Sequence, residues 1–174
     1  MKRALTAEPL SPESFAPFGA VISADRSDIT GRAANQGTAA RQDFLTPIED
    51  LRPGRARLNV AAFRCAPRGP FPLRLALLEK HPMSTQVFIP MNAARYIVVV
   101  APGGEKPDLS AARAFVAGAT QGVSYGPGVW HHPMIALDHP TDFTCLVWED
   151  GSPDDVVEHP FEGDDGLIIE LPSP

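Results

Sequence analysis

The run YIVVVAP, from Tyr96 to Pro102, is the longest apolar stretch of the chain. Its β-branched residues favour a strand, and because polar residues do not alternate with them, both faces of that strand should be covered. A membrane-spanning helix needs about 20 apolar residues, so this run is too short to cross a bilayer. The N-terminal MKRALTAEPLSPE also lacks the apolar core of a signal peptide, and we therefore expect a cytoplasmic protein.

Proline divides the rest of the chain into short segments. The sequence contains 19 prolines in 174 residues, about twice the usual share of ~5%, which leaves little room for long helices. Apolar runs between the prolines predict strands. These are Ala20–Ser23, Leu58–Phe63, Leu73–His81, Thr85–Ile89, Arg95–Ala101, Gly122–Tyr125, Val129–Leu137, Asp142–Glu149 and Gly166–Leu171. Such a series predicts an all-β barrel or jelly roll in which FTCLVW (143–148) is also covered on both faces.

Helices should be few and short. Ser11 followed by Pro12 predicts a helix start, with the helix ending near Gly19, and Asp108 caps a second predicted helix that reaches Phe115. Residues 24–57 show no clean period and predict a long loop with at most a short helix or edge strand. Residues 150–174 form an acidic segment that we expect to be a solvated surface.

Length and charge restrict the class of protein. A chain of 174 residues is one ordinary domain, and we expect residues 1–174 to fold as one. All 15 basic and 10 of the acidic residues lie in residues 1–113, and 11 acidic residues lie in 114–174. This balance argues against a nucleic-acid partner. Cys65 and Cys145 are isolated from each other in the sequence and predict two buried free thiols.

Polar residues interrupt two of the predicted strands. Glu79 and His81 share the parity of the apolar positions before them, so they should point into the mouth of the barrel, and Gln86 can return beside His81 after a tight bend. His131 and His132 should face opposite sides of a regular strand, so one of them enters the interior. Imidazoles are acid–base groups and metal ligands. The alternative is that these are solvated residues at the rim.

These residues resemble two motifs of the cupin superfamily. Glu79-x-His81-x4-Gln86, followed by Gly128-x-x-His131, is similar to HxHx(3–4)E and PxGxxH. Glu79 stands for the first histidine, Gln86 for the glutamate and Gly126 for the proline.

Longer segments resemble the ureidoglycolate lyase family. They are LSPESFAPFGAVI (10–22), EKHPMSTQVFIPM (79–91), IVVVAPGGEKPDLS (97–110) and RAFVAGATQGVSYGPGVWHHP (113–133). Ser84, Gly126 and Pro127 depart from the family pattern. The resemblance implies a cupin-type jelly-roll barrel with one or two short helices, and a homodimer. It also implies elimination of urea from (S)-ureidoglycolate to give glyoxylate in allantoin and purine catabolism.

The resemblance also implies roles for individual residues. A divalent metal, nickel in this family, would bind His81, Gln86 and His131, and no organic cofactor is expected. Elimination needs a general base and a general acid, for which Glu79, His81 and His131 are the catalytic candidates. Arg64 would bind the substrate carboxylate. The other candidate substrate-binding residues are Asn35, Gln36, Arg41, Gln86 and His132.

Two other functions stay open at this stage. A hydrolase acting on the same small molecule would release ammonia and carbon dioxide instead of urea. A non-catalytic cupin would bind a small carboxylate without turnover.

Overall fold

Strands dominate the structure, a computed structural model that describes residues 2–92, 94–163 and 165–172. The one α-helix within these ranges is α1 (Pro12–Phe15), and 3₁₀ turns span Asn35–Gly37 and Leu109–Ala111. The strands are β1 (Lys2–Thr6), β2 (Glu8–Pro9), β3 (Gly19–Ile22), β4 (Arg32–Ala34), β5 (Ala39–Arg41), β6 (Arg57–Cys65), β7 (Leu73–Arg74), β8 (Leu77–Lys80), β9 (Gln86–Pro90), β10 (Tyr96–Ala101), β11 (Arg113–Ala117), β12 (Gly122–Tyr125), β13 (Trp130–His131), β14 (Ile135–Ala136), β15 (Thr141–Glu149), β16 (Val157–Pro160) and β17 (Gly166–Glu170). Within the described ranges, no helix is long and apolar enough to cross a membrane.

Three sheets form three layers. A seven-stranded sheet runs in the order β16-β8-β13-β10-β11-β2, with β14 also paired to β10, and it faces a five-stranded sheet, β3-β12-β9-β15-β6. A three-stranded sheet, β1-β17-β7, covers the other face of the seven-stranded sheet. The two larger sheets face each other across one apolar core, which is the all-β, jelly-roll arrangement that the sequence predicts.

Strand β10 is buried on both faces, as its unbroken apolar sequence predicts. Tyr96, Val98 and Val100 point into the barrel core, whereas Ile97 and Val99 pack against the three-stranded sheet. The strand is central in the seven-stranded sheet, with β11 on one side and β13 and β14 on the other. The position of β10 between two cores explains why it carries no polar residue.

Several sequence predictions about local structure are wrong. The first helix is a single turn, because α1 ends at Phe15. Asp108 caps only a 3₁₀ turn, and the Ala-rich segment after it is strand β11, which pairs with β10 along its whole length. Strand β15 is covered on one face only, since its buried residues alternate with half-exposed ones. Cys145 is buried, but Cys65 is only half-buried.

Two long segments have more structure than the sequence predicts. Residues 24–57 contain the hairpin β4–β5 in addition to irregular backbone. The acidic segment 150–174 is not simply a solvated surface. Its strands β16 and β17 pair with β8 and β1, respectively, and β17 contributes Leu167 and Ile169 to the core under the three-stranded sheet.

Candidate active site

Glu79 and His131 meet because their strands are paired. In the antiparallel pair β8–β13, His131 lies directly opposite Glu79, so both side chains point to the same face of the sheet. Oε1 of Glu79 lies 3.6 Å from Nε2 of His131. His81 follows the end of β8, and its ring lies parallel to that of His131, with 5.7 Å between the ring centres. The strand pairing thus gathers the three predicted catalytic residues at one point of the barrel.

Backbone carbonyls fix the tautomers of both imidazoles. Nδ1 of His81 lies 2.6 Å from the carbonyl oxygen of Asp155, and Nδ1 of His131 lies 3.0 Å from that of Val129. A carbonyl oxygen can only accept a hydrogen bond, so each Nδ1 carries the proton, and each neutral ring has a bare lone pair on Nε2. Both Nε2 atoms are buried and have no hydrogen-bond partner.

The site therefore gathers donor atoms that suit a cation. One ligand atom each from Glu79, His81 and His131 lies within 4.8 Å of the other two. Buried lone pairs without a partner cost free energy, and lone pairs that face a carboxylate need a proton or a metal ion between them. Two imidazole nitrogens and a carboxylate are a common ligand set for divalent transition metals. The chemistry of the residues thus fits a bound divalent metal.

Electrostatics keep Glu79 charged and His81 neutral. Burial alone would raise the pKa of Glu79, but the nearby His131 imidazole, together with His81 and His132, lowers the pKa below its ordinary value. The pKa of His81 is lowered, mainly by burial and then by His131. At neutral pH the site accordingly holds one carboxylate and an uncharged His81 imidazole.

Tyr125 holds the ring of His131 from the other side. The two rings stack with 4.1 Å between their centres and 5° between their planes. Tyr125 is itself fully buried in the barrel core, and His131 lies between it and His81. Nothing in the sequence marks Tyr125 as a site residue, because an aromatic residue on an apolar strand is more often simply part of the core.

Gln86 reaches the same interior face from the five-stranded sheet. Its strand β9 pairs with β12, and Gln86 lies directly opposite Tyr125, so the two side chains point the same way. The Oε1 atom of Gln86 is also buried and has no hydrogen-bond partner. This oxygen is a further acceptor that needs a hydrogen-bond donor or a cation as its partner.

Arg64 lies away from this cluster. Its guanidinium forms two hydrogen bonds of 2.8 Å with the carboxylate of Asp142, and its side chain is 78% exposed. Along β6 it is five residues from Asn59, which pairs with Val147 next to Gln86. At a rise of about 3.4 Å per residue, Arg64 lies about 17 Å from Asn59 along the strand. The structure gives this predicted carboxylate-binding residue a surface ion pair instead.

The predicted residues of the long loop are also separate from the cluster. Asn35 and Gln36 form the tip of the β4–β5 hairpin, with φ angles of 50° and 59°, and Arg41 forms an ion pair with Asp43. The segment after the hairpin is attached through Thr46, whose hydroxyl lies 2.8 Å from that of Ser124. Ser124 precedes Tyr125 in β12, so its side chain points to the outer face of the sheet.

His132 is buried but serves the backbone. Its ring atom Nδ1 lies 2.6 Å from the carbonyl oxygen of Pro133, and its backbone N–H donates to the carbonyl oxygen of Val99. Burial, above all, lowers its pKa to about 4. The imidazole is therefore neutral under ordinary conditions and has a structural contact.

Comparison with known proteins agrees with this geometry. The sequence profile of the family described as ureidoglycolate lyase matches residues 2–168. A protein named ureidoglycolate lyase from Pseudomonas syringae pv. tomato is 39% identical over 172 residues, which cover 99% of this chain and 98% of that protein. The chain belongs to the ureidoglycolate lyase family. A protein of the same name from Pseudomonas fluorescens is also 39% identical, over 96% of this chain and 97% of its own length.

Solved structures are more distant from this chain. RmlC from Streptococcus suis, solved in complex with dTDP-D-xylose, is 16% identical, with a TM-score of 0.48. The alignment covers 88% of this chain and 74% of that one.

Proposed function

We propose that this chain is a ureidoglycolate lyase that splits (S)-ureidoglycolate into glyoxylate and urea. The observation that carries the proposal is the buried cluster of Glu79, His81 and His131, whose donor atoms lie within 4.8 Å of one another. Relatives named ureidoglycolate lyase, about 39% identical over nearly the whole chain, support the substrate. The small molecule carries a carboxylate and a hydroxyl, which together chelate metals.

We propose that His81, His131 and Gln86 hold a divalent cation, with nickel as the first metal to test. The unpartnered, buried lone pairs of these three side chains support this assignment. A bound divalent cation would polarise the hydroxyl of the substrate and lower its pKa. Because Arg64 is paired with Asp142, we further propose that the cation, rather than Arg64, would bind the carboxylate of the substrate.

Glu79 is the proposed general base. Its lowered pKa keeps it ionised at neutral pH, so it can accept the proton of the substrate hydroxyl. The electrons of the O–H bond then form the C=O bond of glyoxylate, and the C–N bond breaks towards nitrogen. The departing nitrogen must gain a proton, and Glu79 can return the one that it has just accepted. The atoms of ureidoglycolate equal those of glyoxylate plus urea, so the reaction consumes no water.

Glu79→Gln separates the two roles that this carboxylate can have. If Glu79 is the base, the substitution should lower kcat by about 10²–10⁴-fold. The Ni²⁺ affinity, measured by titration calorimetry, should then change less than tenfold. If Glu79 is chiefly a ligand, affinity falls together with kcat and the assignment of the base is wrong. Glu162→Gln, an exposed carboxylate in a loop, is the matched control and should leave both values unchanged.

The experiment that tests the proposal incubates purified protein with racemic ureidoglycolate, before and after chelation, and quantifies urea, ammonia and glyoxylate separately. The proposal predicts urea and glyoxylate in equal amounts, half of the substrate left over, and loss of turnover after chelation. Ammonia without urea would contradict the lyase and favour a hydrolase. Substrate binding without turnover at any added metal would favour a non-catalytic carboxylate-binding module.

We also propose a homodimer whose interface includes strand β6. This edge strand pairs with β15 and exposes apolar side chains on both of its faces, with Val60 65% and Phe63 45% exposed. A nine-residue edge strand without cover is a ready partner for a second strand.

Two further assignments belong to the proposal. We infer one domain over the whole chain, since β1 and β17, near its two ends, pair with each other. Cys65 and Cys145 are free thiols. Free thiols are typical of proteins in the reducing cytoplasm, and we propose that this protein resides there.

A further inference from the structure

Arg52 is a buried arginine near the end of the long segment 24–57. Its side chain is only 5% exposed. Nη1 lies 2.8 Å from Asp150 and 2.8 Å from Asp155, and Nη2 donates to the carbonyl of Trp148 at 3.1 Å. A guanidinium with this many acceptors holds its partners in one fixed geometry.

These contacts close the loop that follows β15. The carboxylate of Asp155 also accepts the backbone N–H groups of Asp150 and Gly151, and the N–H of Asp155 donates to the carbonyl of Ser152. Two carboxylates thus face each other in a tight turn, and Arg52 supplies the positive charge between them. Without that charge, their repulsion favours an open loop.

The same turn touches the active site. The carbonyl oxygen of Asp155 is the acceptor for Nδ1–H of His81, at 2.6 Å. Arg52 is tied to that side of the site as well, because the N–H of Leu51 donates to the carbonyl of Met83, two residues after His81. The guanidinium therefore links the long segment to the end of β15 and to the turn after it. The backbone of the preceding residue, Leu51, binds the bend after His81.

We propose that Arg52 is a positioning residue that sets the tautomer of His81 through Asp155. It holds the Asp155 carbonyl against Nδ1, and this keeps the lone pair on Nε2, where the cluster with Glu79 and His131 forms. Groups that orient metal-binding histidines typically change metal affinity 10–100-fold when they are removed. The effect on turnover rests on the proposed function, whereas the tautomer does not.

Arg52→Met tests the proposal in the metal-free protein with ¹⁵N-labelled histidine. At pH 8, the wild type should show His81 with its proton on Nδ1, and R52M should show a mixture of both tautomers. Ni²⁺ affinity should fall at least tenfold. Arg55→Met is the matched control, because Arg55 approaches Asp150 at 3.6 Å, is 74% exposed and should change neither value.

A pure Nδ1–H tautomer together with wild-type Ni²⁺ affinity in R52M would overturn the proposal. If R52M does not fold, Asp155→Ala removes the carboxylate that binds Arg52 and the N–H groups of Asp150 and Gly151, and it should give the same mixed tautomers. The NMR result is independent of turnover. A wild-type protein with the expected tautomer that releases no urea would refute the lyase function and leave the role of Arg52 intact.

Discussion

His132 should make the stability of the fold depend on pH. Its pKa is about 4 in the folded protein and about 6.5 in an unfolded chain. As the pH falls, the unfolded chain binds the proton first, so this contribution is fully present above about pH 6.5 and is lost as the pH falls towards 4. Linkage gives a loss of about 2 kcal/mol between pH 7 and pH 5. His81, whose pKa is also lowered, adds a loss of the same sign.

Urea unfolding of the metal-free protein at pH 5, 6 and 7 measures this effect, with His132→Asn as the variant. An asparagine amide can replace Nδ1–H as donor to the Pro133 carbonyl, but it does not titrate. The loss of unfolding free energy between pH 7 and pH 5 should therefore be about 2 kcal/mol smaller in H132N than in the wild type.

The structure offers a matched control for this measurement. His139 makes the same contact with its own following proline, Nδ1 to the Pro140 carbonyl at 3.1 Å, but it is exposed. His139→Asn should therefore not reproduce the smaller loss of unfolding free energy that we expect for H132N. An H132N profile parallel to that of the wild type would show that burial does not hold His132 neutral.

Three further substitutions test other parts of the account. Gly19→Ala should lower the unfolding free energy by about 3 kcal/mol or more. The φ angle of Gly19 is 147°, and the new Cβ would lie 1.9 Å from the Ser124 carbonyl oxygen. A urea midpoint equal to that of the wild type would contradict this contact. Arg64→Met should leave kcat and KM unchanged, because the guanidinium binds Asp142; a raised KM would restore it as a substrate ligand. Val60→Glu should convert a dimer into a monomer in sedimentation velocity, and a dimer that persists would place the interface elsewhere.

The sequence predicted the parts of the fold that depend on local pattern. The unbroken apolar run of β10 indicated burial on both faces, and both faces are covered. The local pattern predicts a helix from Asp108 to Phe115, but residues 113–117 pair with β10 over their whole length and form strand β11. Strand β1 was missed because its partner β17 lies at the other end of the chain. Pairings between distant segments override local propensity.

The site shows the same division. The spacing of Glu79, His81 and His131 was sufficient to predict their convergence, because it resembles a known motif. The position of Arg64 away from these residues could not be predicted, because its neighbour depends on strand register, which sets it opposite Asp142. The contact from the Asp155 carbonyl could not be predicted, since a backbone carbonyl leaves no signature in the sequence.

The proposed lyase reaction breaks the bond between the glycolate carbon and the ureido nitrogen. Ureidoglycolate labelled with ¹³C at the ureido carbonyl tests this bond cleavage, with ¹³C NMR of the reaction with metal-loaded protein. A lyase releases the label as urea, at the rate at which glyoxylate forms. Label that appears as bicarbonate, together with ammonia, would show attack on the ureido carbonyl and contradict the lyase.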